Sequence, residues 1–320
     1  VCLPLRHARG PHARTHDTHY MSEAPDNHPD ACVIKAALGE VEDASFRSTA
    51  IEAEAVAART AASAHTLTAE EAQWARALKD ALASEGVVPP DSDFEVATFA
   101  IIGKGDLAKS VERVKKYNEV VRAQYPHTPE EGLRAVGFLN RKWPGAMLAG
   151  AADAAGRPMI VCDVNPYVPA QLEGEAEWRA FFLEFVVLLE ACTSDLDDCR
   201  NGCIFITQCE GMGWKNFSLE VEKRAAVLYQ DAIPCRYHSL PMVNAGKILR
   251  VCIRICKAFL KQKLADRLIV CKQERLFDEH GFDRASLPPL LGGTFSGTYE
   301  DWMAGQLKRR AESVAKVRIP

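Results

Sequence analysis

The stretch Cys203-Ile204-Phe205-Ile206-Thr207-Gln208-Cys209-Glu210-Gly211 decides how the rest of the chain is read. Residues 203–207 are apolar or β-branched, and Gly211 punctuates the run, as a short buried strand and its turn require. Alternation puts Cys203, Phe205 and Thr207 on one face and Ile204 and Ile206 on the other. Comparable short apolar runs stand at 159–162, 242–244 and 268–271. Amphipathic segments separate them. One covers 173–192, with Trp178, Phe181, Phe182, Phe185, Leu188 and Leu189 at helical spacing; others cover 218–232, with Val221, Ala225 and Leu228, and 247–264. Strands joined by crossovers of this length are normally parallel and right-handed. The region 141–300 is therefore expected to be an α/β domain, a small, mostly parallel sheet flanked by helices.

Upstream the pattern is helical. Thr68-Ala69-Glu70-Glu71 has the form of a capping box, and Trp74, Leu78 and Leu82 then share one face until Gly86 and Pro89-Pro90 end the helix. A second helix is expected over 106–125, with Leu107, Val111, Val114 and Val121 on one side and Pro126 and Pro129 closing it. Residues 64–140 thus form an all-α N-terminal unit. Residues 1–63 read as a disordered or partly helical tail, with one Ala/Glu helix over 51–64, and 301–320 as a C-terminal helical tail. Residues 1–20 hold His, Arg and Pro but no apolar signal-peptide core, and since the sequence opens on Val1 while Met21 leads a plain acidic stretch, Met21 is the expected start of translation.

The 320 residues carry a net charge of −4, which excludes a strongly basic nucleic-acid binder. The strongest apolar run, 181–189, is interrupted by Glu184 and falls well short of the roughly 18 residues that cross a bilayer. The eleven cysteines are odd in number and mostly sit in apolar runs (Cys162, Cys192, Cys252, Cys256, Cys271), as buried small hydrophobes in a reducing, cytoplasmic compartment would. Cys199, Cys203 and Cys209 are the sharpest metal candidate, but their spacing fits no standard zinc knuckle. No metal and no cofactor is expected. The chain lacks a G-x-S-x-G elbow, an H-E-x-x-H pair and a phosphate-binding G-x-x-x-x-G-K-[ST] loop, and six of its histidines (His7, His12, His16, His19, His28 and His65) precede the ordered region. A non-enzymatic protein is expected.

The segment 247–261 carries the clearest charge pattern. Lys247, Arg250, Arg254, Lys257 and Lys261 follow spacings of 3, 4, 3 and 4, Lys263 adds a sixth cation, and no acid intervenes before Asp266. Leu249, Val251, Cys252, Ile253, Ile255, Cys256, Phe259 and Leu260 make up the other faces. A helix apolar on one side and purely basic on the other suits an anionic membrane surface, although a solvated basic face would share the pattern.

Six blocks, in order over about 140 residues, resemble the CRAL-TRIO family. Gly156-Arg157-Pro158-Met159 is similar to its "GRPV" strand, 204–211 to its strand followed by D-x-x-G, and 229–236 to its "x-Q-x-x-Y/F-P-x-R" helix end. Met242-Val243-Asn244, 258–264 and 287–293 resemble its "h-h-N-x-P", "P-F-L-x-x-K" and "L-P-x-x-Y/F-G-G" blocks. The chain departs at Gln208, where Asp is usual, at Gly246, which follows Asn244-Ala245 instead of the usual Pro, and at 98–104, where the N-terminal unit lacks the "R-F-L-R-A-R-K" run. Cys235 stands where phosphatidylinositol-transfer members carry Glu, so the resemblance leans toward the α-tocopherol and retinaldehyde carriers.

That resemblance implies a lipid cavity floored by the sheet and covered by a gate helix at 247–260. By position, Cys203, Phe205, Thr207, Leu228, Tyr229, Ile233, Tyr237, Leu240, Ile253 and Phe259 are the implied ligand contacts. Thr207, Tyr229 and Tyr237 would orient a polar end. Arg236, Arg250, Arg254, Lys257, Lys263 and Arg267 are the implied contacts to a phosphoinositide-bearing membrane, with the protein peripheral on it. The expected partners are a hydrophobic small molecule or lipid and an anionic membrane surface. A lipid-sensing scaffold that binds a protein partner is the alternative.

Overall fold

The computed structural model describes residues 30, 32, 33 and 62–320. The expected N-terminal tail, its Ala/Glu helix and Met21 lie outside the described residues, apart from a turn that runs through 62–65.

The N-terminal unit opens with α1 (Ala69–Ser84), whose Thr68–Glu71 capping box forms as the sequence predicts. Next comes α2 (Asp93–Ile102), capped by Ser92. Almost every residue of α2 from Phe94 to Ile101 is buried, so it carries no amphipathic period, and sequence reasoning missed it. Then follow α3 (Leu107–Tyr117), which widens into one π-type turn at Asn118–Arg122, α4 (Pro129–Ala135) and α5 (Phe138–Lys142). Leu78, Leu82, Phe94, Phe99 and Val114 form this unit's core.

The α/β region contains β1 (Met147–Ala149), β2 (Met159–Asp163), α6 (Gly174–Ala191), α7 (Leu196–Asn201) and β3 (Cys203–Gln208). It continues with α8 (Leu219–Val227), a π-type turn at Leu228–Ala232, β4 (Tyr237–Val243), α9 (Lys247–Lys257) and α10 (Gln262–Ala265). β5 (Leu268–Cys271), α11 (Gln273–Asp278) and α12 (Tyr299–Lys316) complete it.

The five strands lie in chain order, β1 to β5. β2 through β5 are parallel, as expected, and β1 is an antiparallel edge strand too short to show in the sequence. β4 begins at Tyr237, five residues before the run at 242–244, because Tyr237-His238-Ser239 and Pro241 do not read as a strand. Sequential order with right-handed crossovers sends every connecting helix to the same face. Accordingly α6, α8 and α9 pack on the face that carries Cys162, Phe205 and Thr207, while Ile204, Ile206 and Val161 face Leu276, Leu287 and Leu291 on the other.

One expectation needs correction. The helix expected over 247–264 ends at Lys257, and after a turn Lys261 precedes α10 and pairs with Asp231. Lys261 therefore leaves the basic stripe. The C-terminal segment is helical, as α12, and it is packed against the rest of the fold. Tyr299 and Met303 of α12 are buried in the main core, and Val317, one residue beyond it, is buried in the helical unit's core. Arg310 donates to Glu95 at 3.1 Å and to the Thr193 carbonyl at 3.1 Å, so α12 clasps both units.

Candidate ligand cavity and its cover

The sheet's helix-bearing face is not packed solid. Between it and α6, α8 and α9 lies a cavity of about 290 Å3. Its floor is Cys162 and Val164 from β2 and its C-terminal end, Phe205 and Thr207 from β3, and Tyr237, Leu240 and Met242 from β4. Phe181, Phe185 and Leu188 of α6 form one wall, and Val221, Glu222 and Ala225 of α8 another. Leu249, Cys252, Ile253 and Cys256 of α9 close it, with Leu260 and Leu264 beyond. Phe185 meets Tyr229 edge-on at 6.4 Å between ring centroids, and Tyr229 meets Tyr237 in the same way at 6.2 Å. At the other end Tyr167 stacks on Phe181 and is met edge-on by Trp143 at 4.9 Å. Such pairs fix ring positions and so hold the cavity's shape.

Of the implied contacts, Phe205, Thr207, Tyr229, Tyr237, Leu240 and Ile253 line this cavity. Four do not. Cys203 turns to Cys235, with 3.8 Å between their sulfurs. Leu228 and Ile233 are packed in the core under the π-type turn that follows α8. Phe259 lies past the end of α9. Sequence reasoning missed the α6 wall as lining, because a buried aromatic gives the same signal whether it meets protein or empty space.

It also missed Glu222. This carboxylate lines a mostly apolar cavity, and the groups that feel its charge are Cys162, Tyr167, Tyr229, Cys252 and Cys256. Burial alone pushes it up to about 7. Burial likewise raises the Cys162 thiol to about 12 and moves the Tyr229 and Tyr237 hydroxyls well up, so those groups stay neutral. Glu184, which interrupts the apolar run of α6, has a different role. It accepts from the Gly137 N–H at 2.7 Å and the Leu139 N–H at 2.6 Å, capping α5 from a distance. Burial still holds it at about 7.

The cover is amphipathic. Leu249, Val251, Cys252, Ile253 and Ile255 of α9 are buried, while Lys247, Arg250 and Lys257 are exposed and Arg254 is half-buried. Lys263 on α10 is exposed. The other two implied membrane contacts are half-buried and engaged with backbone: Arg236 donates to the Arg200 carbonyl, and Arg267 donates to the His238 carbonyl at 3.1 Å. Gln208, at the usual Asp position, preserves the turn by accepting from the Glu210 N–H at 3.1 Å. Gly211 sits at φ 77°, where an added Cβ would lie 2.7 Å from the Asn165 side chain.

The match to known proteins agrees with this geometry. Residues 143–293 match the CRAL/TRIO domain family, so this segment of the chain is a CRAL-TRIO domain. It is 26% identical over 200 residues to tyrosine-protein phosphatase non-receptor type 9 of Homo sapiens, covering 61% of this chain and 32% of that protein. It is 23% identical over 145 residues to alpha-tocopherol transfer protein-like of Homo sapiens, covering 44% of this chain and 41% of that protein. The chain thus spans a third to two-fifths of these relatives. The crystal structure of Sfh5 aligns over 77% of this chain and 99% of its own, with 12% identity and a TM-score of 0.46. No helix among the described residues is long and apolar enough to cross a membrane.

Proposed function

We propose that this protein holds one lipid-like molecule between its sheet and α9 and exchanges it at anionic membranes, with α9 as the gate and no chemical change to the ligand. The observation that carries this reading is the apolar cavity closed by a helix with an exposed basic edge. A cavity of about 290 Å3 lies just below the ligand-site range of roughly 300–1,000 Å3. Water gains little from so apolar a surface, so an apolar guest is favoured. Glu222, Thr207, Tyr229 and Tyr237 are among the polar residues that line it, with Tyr167 and Asn216. Such a set suits a ligand with an apolar body and a hydrogen-bonding end, such as a hydroxyl. The exposed Arg250, Lys257 and Lys263 would meet phosphoinositide headgroups.

Solvent extraction and native mass spectrometry of the purified protein test the first part. One small lipid per chain, recovered unmodified, is the expected result. A ligand-free protein that takes up none of a broad panel of fluorescent lipids and isoprenoids would overturn it.

A further inference from the structure

Three cysteines from three separate elements meet behind the cavity. Cys192 caps the C-terminus of α6, Cys203 opens β3, and Cys235 sits in the loop that leads into β4. Their sulfurs all lie within 4.8 Å of one another, and Cys203 and Cys235 are 3.8 Å apart. They are 0%, 0% and 6% exposed. This is not the set that the spacing offered, since Cys199 is bonded to Thr98 and Cys209 lines the cavity.

We propose that Cys192, Cys203 and Cys235 form a trigonal site for a soft, thiophilic metal ion, of which copper(I) is the best match. A metal–thiolate bond of about 2.3 Å puts the sulfurs of a planar three-coordinate group about 4.0 Å apart, close to the spacing already present. Thiolate ligands select soft ions. Zinc in structural sites takes four ligands, and among the described residues the grouping has three.

The charge can also be balanced. Copper(I) bound with loss of two thiol protons leaves a group of charge −1. Arg113 is the compensating cation: its guanidinium donates to the carbonyls of Gln230 at 2.7 Å and Ile233 at 3.0 Å, and its charge acts on Cys235.

The test is anaerobic titration of the full chain with copper(I) against a competing chelator, following the ultraviolet thiolate-to-metal charge-transfer band. One ion per chain is expected to survive competition. Cys235→Ala and Cys203→Ser should each weaken it by more than the roughly 10–100-fold that loss of a mere outer-shell partner costs. Cys271→Ala and Cys256→Ala, which remove thiols outside the cluster, should leave it intact. Thermal unfolding separates binding from misfolding: copper(I) should raise the midpoint of the wild-type protein and of both controls, but not of folded Cys235→Ala. Copper(I) lost entirely to the chelator, or retained equally by Cys235→Ala and the controls, would overturn the proposal.

Discussion

Arg200 grips Glu71 with two hydrogen bonds, 2.9 Å from Nε and 2.7 Å from Nη2, and so ties α7 to the first turn of α1. The same guanidinium also reaches Asp197 at 2.8 Å and the carbonyls of Ser63 and Thr66. Both partners are largely buried, so removing one strands the other. Arg200→Ala should cost about 3–5 kcal/mol in denaturant unfolding. Burial pushes Glu71 up, but Arg200 and the Thr68 N–H outweigh it and hold its carboxyl below the ordinary 4.5. Its contribution is therefore present above pH 4.5 and is lost as pH falls further. A wild-type-to-Glu71→Gln difference that does not shrink on acidification would contradict this.

Glu222 has the opposite sign. Its ordinary value is 4.5, and in the cavity it rises to about 7. The folded state therefore favours the protonated form, an advantage complete below 4.5 and lost as pH rises through about 7. In ligand-free protein, Glu222→Gln should match the wild type in acid and become more stable above neutrality by on the order of 1–3 kcal/mol. Equal stability of the two proteins at pH 8 would show that the carboxylate is solvated.

Ala225 faces the cavity from α8. Ala225→Phe should place a ring in that space. Overpacking costs about 1–3 kcal/mol where no room exists, and less here. The expected outcome is a folded protein with little or no uptake of a fluorescent lipid. Undiminished uptake would move the ligand elsewhere.

Arg250, Lys257 and Lys263 are exposed, whereas Arg254 is half-buried, so the first three can be reversed with less burden on the fold. Each cation near an anionic leaflet contributes on the order of 1 kcal/mol, so the triple change to Glu should lower vesicle binding by at least about 100-fold. Co-sedimentation with phosphoinositide-containing vesicles measures it. Wild-type binding should also weaken with added salt. A triple variant that sediments normally would leave α9 as an ordinary solvated face.

The parallel strands and most crossover helices were legible because each has its own signal, a β-branched run or a periodic face. α2 had none, since it is buried almost all round. β4 hid behind Pro241 and His238, which a strand tolerates only in a tertiary context that local pattern does not encode. The cavity was half legible. Alternation placed Phe205 and Thr207 on the lining face, but it placed Cys203 there as well, and only the packing of Cys235 takes that side chain away. Glu222 reads in sequence as one more acid on an amphipathic helix. Its neighbours Cys252 and Cys256 come from a different crossover, about thirty residues on.

Strand order has a consequence for how the ligand site opens. Because neighbouring strands are also consecutive, α9 belongs to the single connection between β4 and β5, and its displacement need break no strand pair. Opening is then a sub-global fluctuation with its own, smaller free energy. In native-state hydrogen exchange the amides of α9 should form one weakly protected group, insensitive to mild denaturant. Those of β2, β3 and β4 should exchange only with global unfolding. Bound lipid should slow the first group and leave the ranking of the second unchanged.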